Sequence, residues 1–102
     1  MAAGTLISPT TAGANGPLMD FREADYRYGA TFVHNGLAGI ETVKFQYTVD
    51  GGSNWLDYYV DGSLLELTAT NSAETVWARL PLRCVKSATV ASVGVYSFTG
   101  RS

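Results

Sequence analysis

Cysteine, histidine and proline are scarce in this chain: one Cys, one His and three Pro in 102 residues. A lone Cys84 excludes an internal disulfide framework, and within Leu82-Arg83-Cys84-Val85 it reads as a small buried hydrophobe. Such usage suits a product made in a reducing cytoplasm. One His and one Cys cannot supply the ligands of a zinc site, and no Asp-x-Asp-x-Asp or Cys-x-x-Cys spacing occurs, so no metal is expected. A glycine-rich phosphate loop between strand and helix is missing as well, and no cofactor is expected. Charge is thin at 16% of residues, where about a quarter is usual, and the net charge is −2. The basic residues Arg22, Arg27, Lys44, Arg79, Arg83, Lys86 and Arg101 are scattered, with no stripe to neutralise phosphates, which argues against nucleic acid as a partner. Apolar stretches are strand length, far short of the ~20 residues of a spanning helix. Met1 to Pro9 lacks the basic start and apolar core of a signal peptide, so no membrane partner is expected.

Groups for catalysis are equally thin. Asp57 and Asp61 lie near one another in sequence and Glu66 falls on the next predicted strand, but nothing marks them as a desolvated acid–base pair. His34 and Cys84 are the sole conventional base and nucleophile, and a single His at a strand end reads as a polar edge residue. With no acid, base and nucleophile to assemble, the chain is not expected to be an enzyme, and no small-molecule substrate is expected.

What the chain does have is alternation. From Glu41 to Val49, residues Val43, Phe45, Tyr47 and Val49 point one way and Thr42, Lys44, Gln46 and Thr48 the other. Asp50-Gly51-Gly52 follows, then the aromatic run Trp55 to Val60, which predicts a hairpin because glycine accepts positive φ freely. Thr48-x-Asp50-x-Gly52-x-x-Trp55 matches the Asp-box pattern of sialidase-like propellers. In this one copy it reads as a structural turn: Asp holds the turn amides, Gly bends, and Trp packs across the base. Further period-2 segments run from Tyr26 to Asn35, with Tyr26, Tyr28, Ala30, Phe32 and His34 on one face. Others run from Ser63 to Ala69, Glu74 to Leu80, Leu82 to Ser87 and Val93 to Phe98. Helical periodicity appears nowhere. About seven short strands at 8–12-residue spacing predict an all-β fold, a single antiparallel β-sandwich of Greek-key or jelly-roll-like form.

Residues 1–24 differ from the sandwich domain expected over 25–102. They are rich in Ala, Gly, Thr and Pro, yet carry Leu6, Ile7, Leu18, Met19 and Phe21. An extended N-terminal arm with apolar anchors suits a segment that orders against a neighbouring subunit; the other reading is a segment that packs along its own domain.

The run Glu41 to Trp55, then Asp61-Gly62-Ser63-Leu64-Leu65-Glu66-Leu67-Thr68-Ala69-Thr70-Asn71, then Arg83-Cys84-Val85-Lys86-Ser87, resembles small virion structural proteins of tailed bacteriophages. The resemblance covers roughly residues 41 to 98 and rests on turn and strand motifs. Within that group a short sandwich with an apolar-anchored arm is similar to capsid decoration (cement) proteins. The resemblance implies a virion protein made in the host cytoplasm and carried on the capsid surface, forming a homo-oligomer, usually a trimer in such families, that clamps the major capsid protein and stabilises the assembled head. Leu6, Ile7, Leu18, Met19 and Phe21 would be its partner-binding anchors. A tail, neck or baseplate position is the nearby variant. A carbohydrate-binding or host-adhesion module is the alternative from another class, with Trp55, Tyr59 and Trp77 as possible glycan contacts and Tyr58 on the opposite strand face. Core and cross-strand packing is the structural role that competes for the same aromatics.

Overall fold

The computed structural model describes residues 3–22, 26 and 29–99. In chain order its strands are β1 (Ala3–Thr10), β2 (Ala14–Asn15), β3 (Ala30–His34), β4 (Val43–Tyr47), β5 (Leu56–Asp57), β6 (Tyr59–Val60), β7 (Ser63–Leu64), β8 (Glu66–Leu67), β9 (Ala73–Val76), β10 (Leu82–Lys86) and β11 (Val93–Thr99). They form two principal antiparallel sheets. The first has the order β1-β11-β3-β9; the second has the order β2-β10-β4-β5, with β8 also on β4. Phe32 of the first sheet meets Phe45 of the second with ring centroids 5.1 Å apart, and both are fully buried. The alternation that the sequence predicts thus closes an all-β sandwich around one core.

Alternation holds through β3 and β4, where Ala30, Phe32, Val43 and Phe45 are buried. Tyr28 lies outside the described residues. It fails at the end of β4, where Thr48 is buried and Val49 is 73% exposed. The cause is the turn itself. Thr48 Oγ1 donates to Asp50 Oδ1 at 2.8 Å and accepts the Gly52 N–H at 2.9 Å, which draws Thr48 inward and turns Val49 out.

The aromatic run is not one strand. After Asp57 the chain leaves β4 and pairs with residues 63–64, forming a small ribbon of β6 and β7 around Asp61-Gly62. Both turn residues have positive φ, 52° and 83°, as a two-residue hairpin loop requires. Both ends of the ribbon are rooted on the edge of β4 away from β10: β5 pairs with Gln46 and Tyr47, while β8 pairs with Val43 and Lys44. Trp77 to Leu80, expected as strand, lies beyond the end of β9.

The N-terminal segment is extended but runs along its own domain. β1 pairs with β11, and β2 pairs with β10. Gly16 donates to Cys84 O at 2.8 Å, and Met19 and Leu82 exchange backbone bonds at 2.7 and 2.9 Å. A side chain at Gly16 would force a local shift, because its Cβ would lie 2.6 Å from Cys84 Sγ. Met19 and Phe21 are 1% and 3% exposed and close one flank of the core. Each such burial stabilises by about 1.5–3 kcal/mol, so the segment orders on the sandwich without a neighbour. Residues 3–22 and the strands after residue 29 therefore share one hydrophobic core.

Candidate interaction surface

Four loops gather at one end of the sandwich, as the strand registers dictate. Thr10 pairs with Val93, Val95 with His34, Val43 with Lys86 and Val33 with Ala73. The loops of residues 11–13, 35–42, 68–72 and 87–92 therefore meet there. Glu41 is their one carboxylate or ammonium among these loop residues.

Three ionisable side chains hold these loops in place. Lys86 has the same parity on β10 as Leu82 and Cys84, and it points inward, 2% exposed. Its Nζ donates to Ala12 O at 2.9 Å, Ser87 O at 3.1 Å and Thr89 Oγ1 at 3.0 Å, so all three ammonium protons have acceptors. Desolvation lowers its pKa, opposed by the nearby Glu41 charge. Glu41 accepts the Val90 N–H and the Ala38 N–H, both at 2.9 Å, and bridges two loops. Those two amide bonds hold its carboxyl below the usual range. His34 Nδ1 accepts the Gly36 and Leu37 N–H groups, each at 3.1 Å. Its Nε2, which must then carry the proton, donates to Thr68 O at 2.7 Å.

What this frame presents is apolar. Ile40 is 98% exposed and Val90 is 93% exposed, each beside a group that Glu41 fixes. Around them the exposed residues are Ala, Gly, Thr and Ser together with Asn35, among them Ala38, Gly39, Ala88 and Ser92. Such an end gives a partner two aliphatic knobs on rigid loops and no charge to desolvate. Sequence reasoning missed this site. The parity of Lys86 was the available signal, since a lysine in register with core residues must find buried acceptors.

The residues singled out in the sequence are placed elsewhere. Of the arm residues, Ile7, Met19 and Phe21 are buried in the chain's own core, Leu6 is half-buried against it, and Leu18 is exposed. Thr48, Asp50, Gly52 and Trp55 form the expected turn. Asp50 accepts from Asn54 N and Nδ2 at 3.0 and 2.8 Å, and Trp55 Nε1 donates to Gly52 O at 3.1 Å. The glycan candidates are dispersed. Trp55 lies under the Arg83 guanidinium, 4.5 Å from its ring centroid, so that ring face is occupied. Tyr59 is exposed on the β6–β7 ribbon, whereas Trp77 follows β9 at the edge of the first sheet. Asp57 bonds Gln46 Nε2 at 3.0 Å and pairs with Lys44 Nζ at 3.1 Å, and these contacts hold its carboxyl down. Glu66 faces Lys44 across the ladder, so Asp57 and Glu66 flank one ammonium, while Asp61 stands apart at the ribbon tip. Burial pushes the Cys84 thiol up to about 12, which keeps it protonated. Among the described residues no group of three His, Cys, Asp or Glu side chains could hold a metal ion.

No family model, no curated protein and no solved structure matches this chain.

Proposed function

We propose that this chain is a non-enzymatic structural protein of a phage virion, of the capsid decoration type, that docks on the assembled head and stabilises it. The observation that carries the reading is the pair of almost fully exposed aliphatic side chains, Ile40 and Val90, on loops bridged by Glu41. An isolated soluble domain gains nothing from holding two such groups in water, whereas a docking protein gains their burial. The chemistry of the end favours protein over the other partners. Lipid headgroups and nucleic acid both attract Lys and Arg, and these loops have none. Ordering of the N-terminal segment on its own sandwich moves the docking role from Leu6, Ile7, Leu18, Met19 and Phe21 to the loop end.

A ligand that binds the assembled state alone stabilises it by mass action, and many weakly held copies on a lattice act together. The test is co-sedimentation of the purified protein with heads assembled from the co-encoded major capsid protein. Ile40→Asp combined with Val90→Asp should leave the melting temperature unchanged, because both side chains are already in water. Burial of the two side chains predicts that the same change weakens co-sedimentation about a hundredfold. Wild-type binding by the double variant would remove the loop end from the mechanism.

A further inference from the structure

The two sheets differ on their outer faces. On the second sheet the outward side chains are charged and bonded to one another: Lys44 pairs with Asp57 at 3.1 Å, and Gln46 Oε1 accepts from Arg83 Nε and Nη2 at 3.0 and 2.8 Å. On the first sheet the registers set Tyr96, Val33 and Ala73 in one outward row and Phe98, Thr31 and Thr75 in the next. Thr31 and Thr75 share a hydroxyl hydrogen bond of 2.8 Å across that face. Glu74 is the one Asp, Glu, Lys or Arg on the strands of this sheet. It lies opposite buried Phe32, on the inner side, with Asn71 Nδ2 2.6 Å from its carboxylate. Trp77, 53% exposed, continues the outward parity of Thr75, and Phe98 is 36% exposed.

We infer that this uncharged face is a contact surface for a second copy of the same chain, packed face to face about a two-fold axis. A two-fold contact sets each group against its own kind near the axis, so like charges there oppose association. The strands of the first sheet offer none on their outer face, and the Arg79 guanidinium, 5.8 Å from the Trp77 ring centroid, lies at the edge beyond β9; the second sheet would set its own Lys44, Asp57 and Arg83 against their copies. Aromatic and aliphatic groups among hydroxyls match the composition of interface cores, which are depleted in charge and enriched in Trp, Tyr and Phe. A sugar would be served less well, because the face supplies hydroxyls but no carboxylate or carboxamide to fix its orientation.

Size sets the strength. Four strands at about 4.8 Å spacing and about 20 Å of ladder cover about 400 Å² per partner, half of the ~800 Å² usual in stable complexes. The contact is therefore weak in dilute solution and fills when copies are crowded. Crowding on a head rests on the docking proposed above; the face-to-face contact does not.

The experiment is a concentration series on the full chain, read by amide shifts in heteronuclear NMR and by sedimentation equilibrium. Amide shifts should grow with concentration at Thr31, Val33, Thr75 and Phe98, while the average mass rises from 10.9 kDa towards that of two copies. Ala73→Lys, and Thr5→Lys opposite Tyr96 in the same outward row, both at exposed positions, should each raise the dissociation constant about tenfold or more with no change in melting temperature. A series without shifts on this face at millimolar concentration, convergence on three copies, or variants that associate as the wild type does would each overturn the inference. No head is used in this measurement, so its failure is separate from any failure of the loop-end docking.

Discussion

Lys86 shows how one residue decides the form of a whole end of the molecule. Its ammonium, removed from water, is held by two backbone carbonyls and the Thr89 hydroxyl from two stretches of chain. Lys86→Ala leaves a cavity and orphans those acceptors, and it should lower stability by about 2–4 kcal/mol in urea unfolding. Lys86→Met keeps most of the volume and should cost less than Lys86→Ala. Equal losses for the two would mean that the hydrogen bonds, and not packing, carry the effect. Asp50 gives a second test by titration. Bonds from the Asn54 side chain first, then from the Asn54 amide and the Thr48 hydroxyl, hold its carboxyl at about 2 against an ordinary 3.8. Between those values the unfolded chain binds more protons than the folded one, so this contribution is present above the ordinary value and disappears as pH falls through about 2. Thermal melts of Asp50→Asn should therefore lie below wild type at neutral pH and converge with it in that acid window. A constant gap down to the acid limit would contradict the assignment.

At the scale of elements, what was legible in the sequence is what local rules control. The alternation of Val43, Phe45 and Tyr47 and the Asp50-Gly51-Gly52 turn each follow from neighbours within a few residues, and the structure has both. The N-terminal segment was not legible as strand. β1 is bulged between Thr5 and Ile7 and again between Ile7 and Thr10, so its core residues keep no period of 2. β2 is held by Gly16 and Met19 reaching β10, a fit between distant parts of the chain that composition does not reveal. The ribbon of residues 56–67 was half legible. Asp61-Gly62 marks its turn, but the seating of both its ends on one edge of β4 depends on the bonds of Phe45 with Tyr58 and Leu65 at 2.9 and 3.1 Å. The loop end was hidden because its parts are far apart in sequence and are joined by Glu41, Lys86 and His34. One consequence concerns truncation. Removal of residues 1–20 takes away β1, β2 and Met19 and exposes β10 and β11, so the remainder should fail to unfold cooperatively in urea. Met19→Ala alone should cost about 2–4 kcal/mol in the same assay. A truncated chain with a sharp, near-native transition would show that the sandwich stands without its first segment.

For the whole molecule the distribution of charge separates the surfaces by role. Apart from the inward Lys86 and Glu74, the charged side chains of the strands collect on the outer face of the second sheet, where Lys44, Asp57, Gln46 and Arg83 satisfy one another and Arg83 covers Trp55. The loop end and the outer face of the first sheet carry apolar and hydroxyl groups instead. Salt distinguishes surfaces of these two kinds. Contacts between opposite charges are screened, with a Debye length of about 10 Å at 0.1 M and about 3 Å at 1 M, while apolar burial is insensitive to salt or slightly strengthened. Co-sedimentation with heads should then change by less than about threefold between roughly 0.05 and 0.5 M sodium chloride. Self-association of the free chain should be equally flat. A steep loss of head binding with salt would transfer docking to the Lys44–Arg83 face, and Arg83→Gln would then weaken it while Ile40→Asp would not. The loop-end reading requires the reverse ordering: Ile40→Asp weakens binding at every salt concentration, and Arg83→Gln leaves it unchanged.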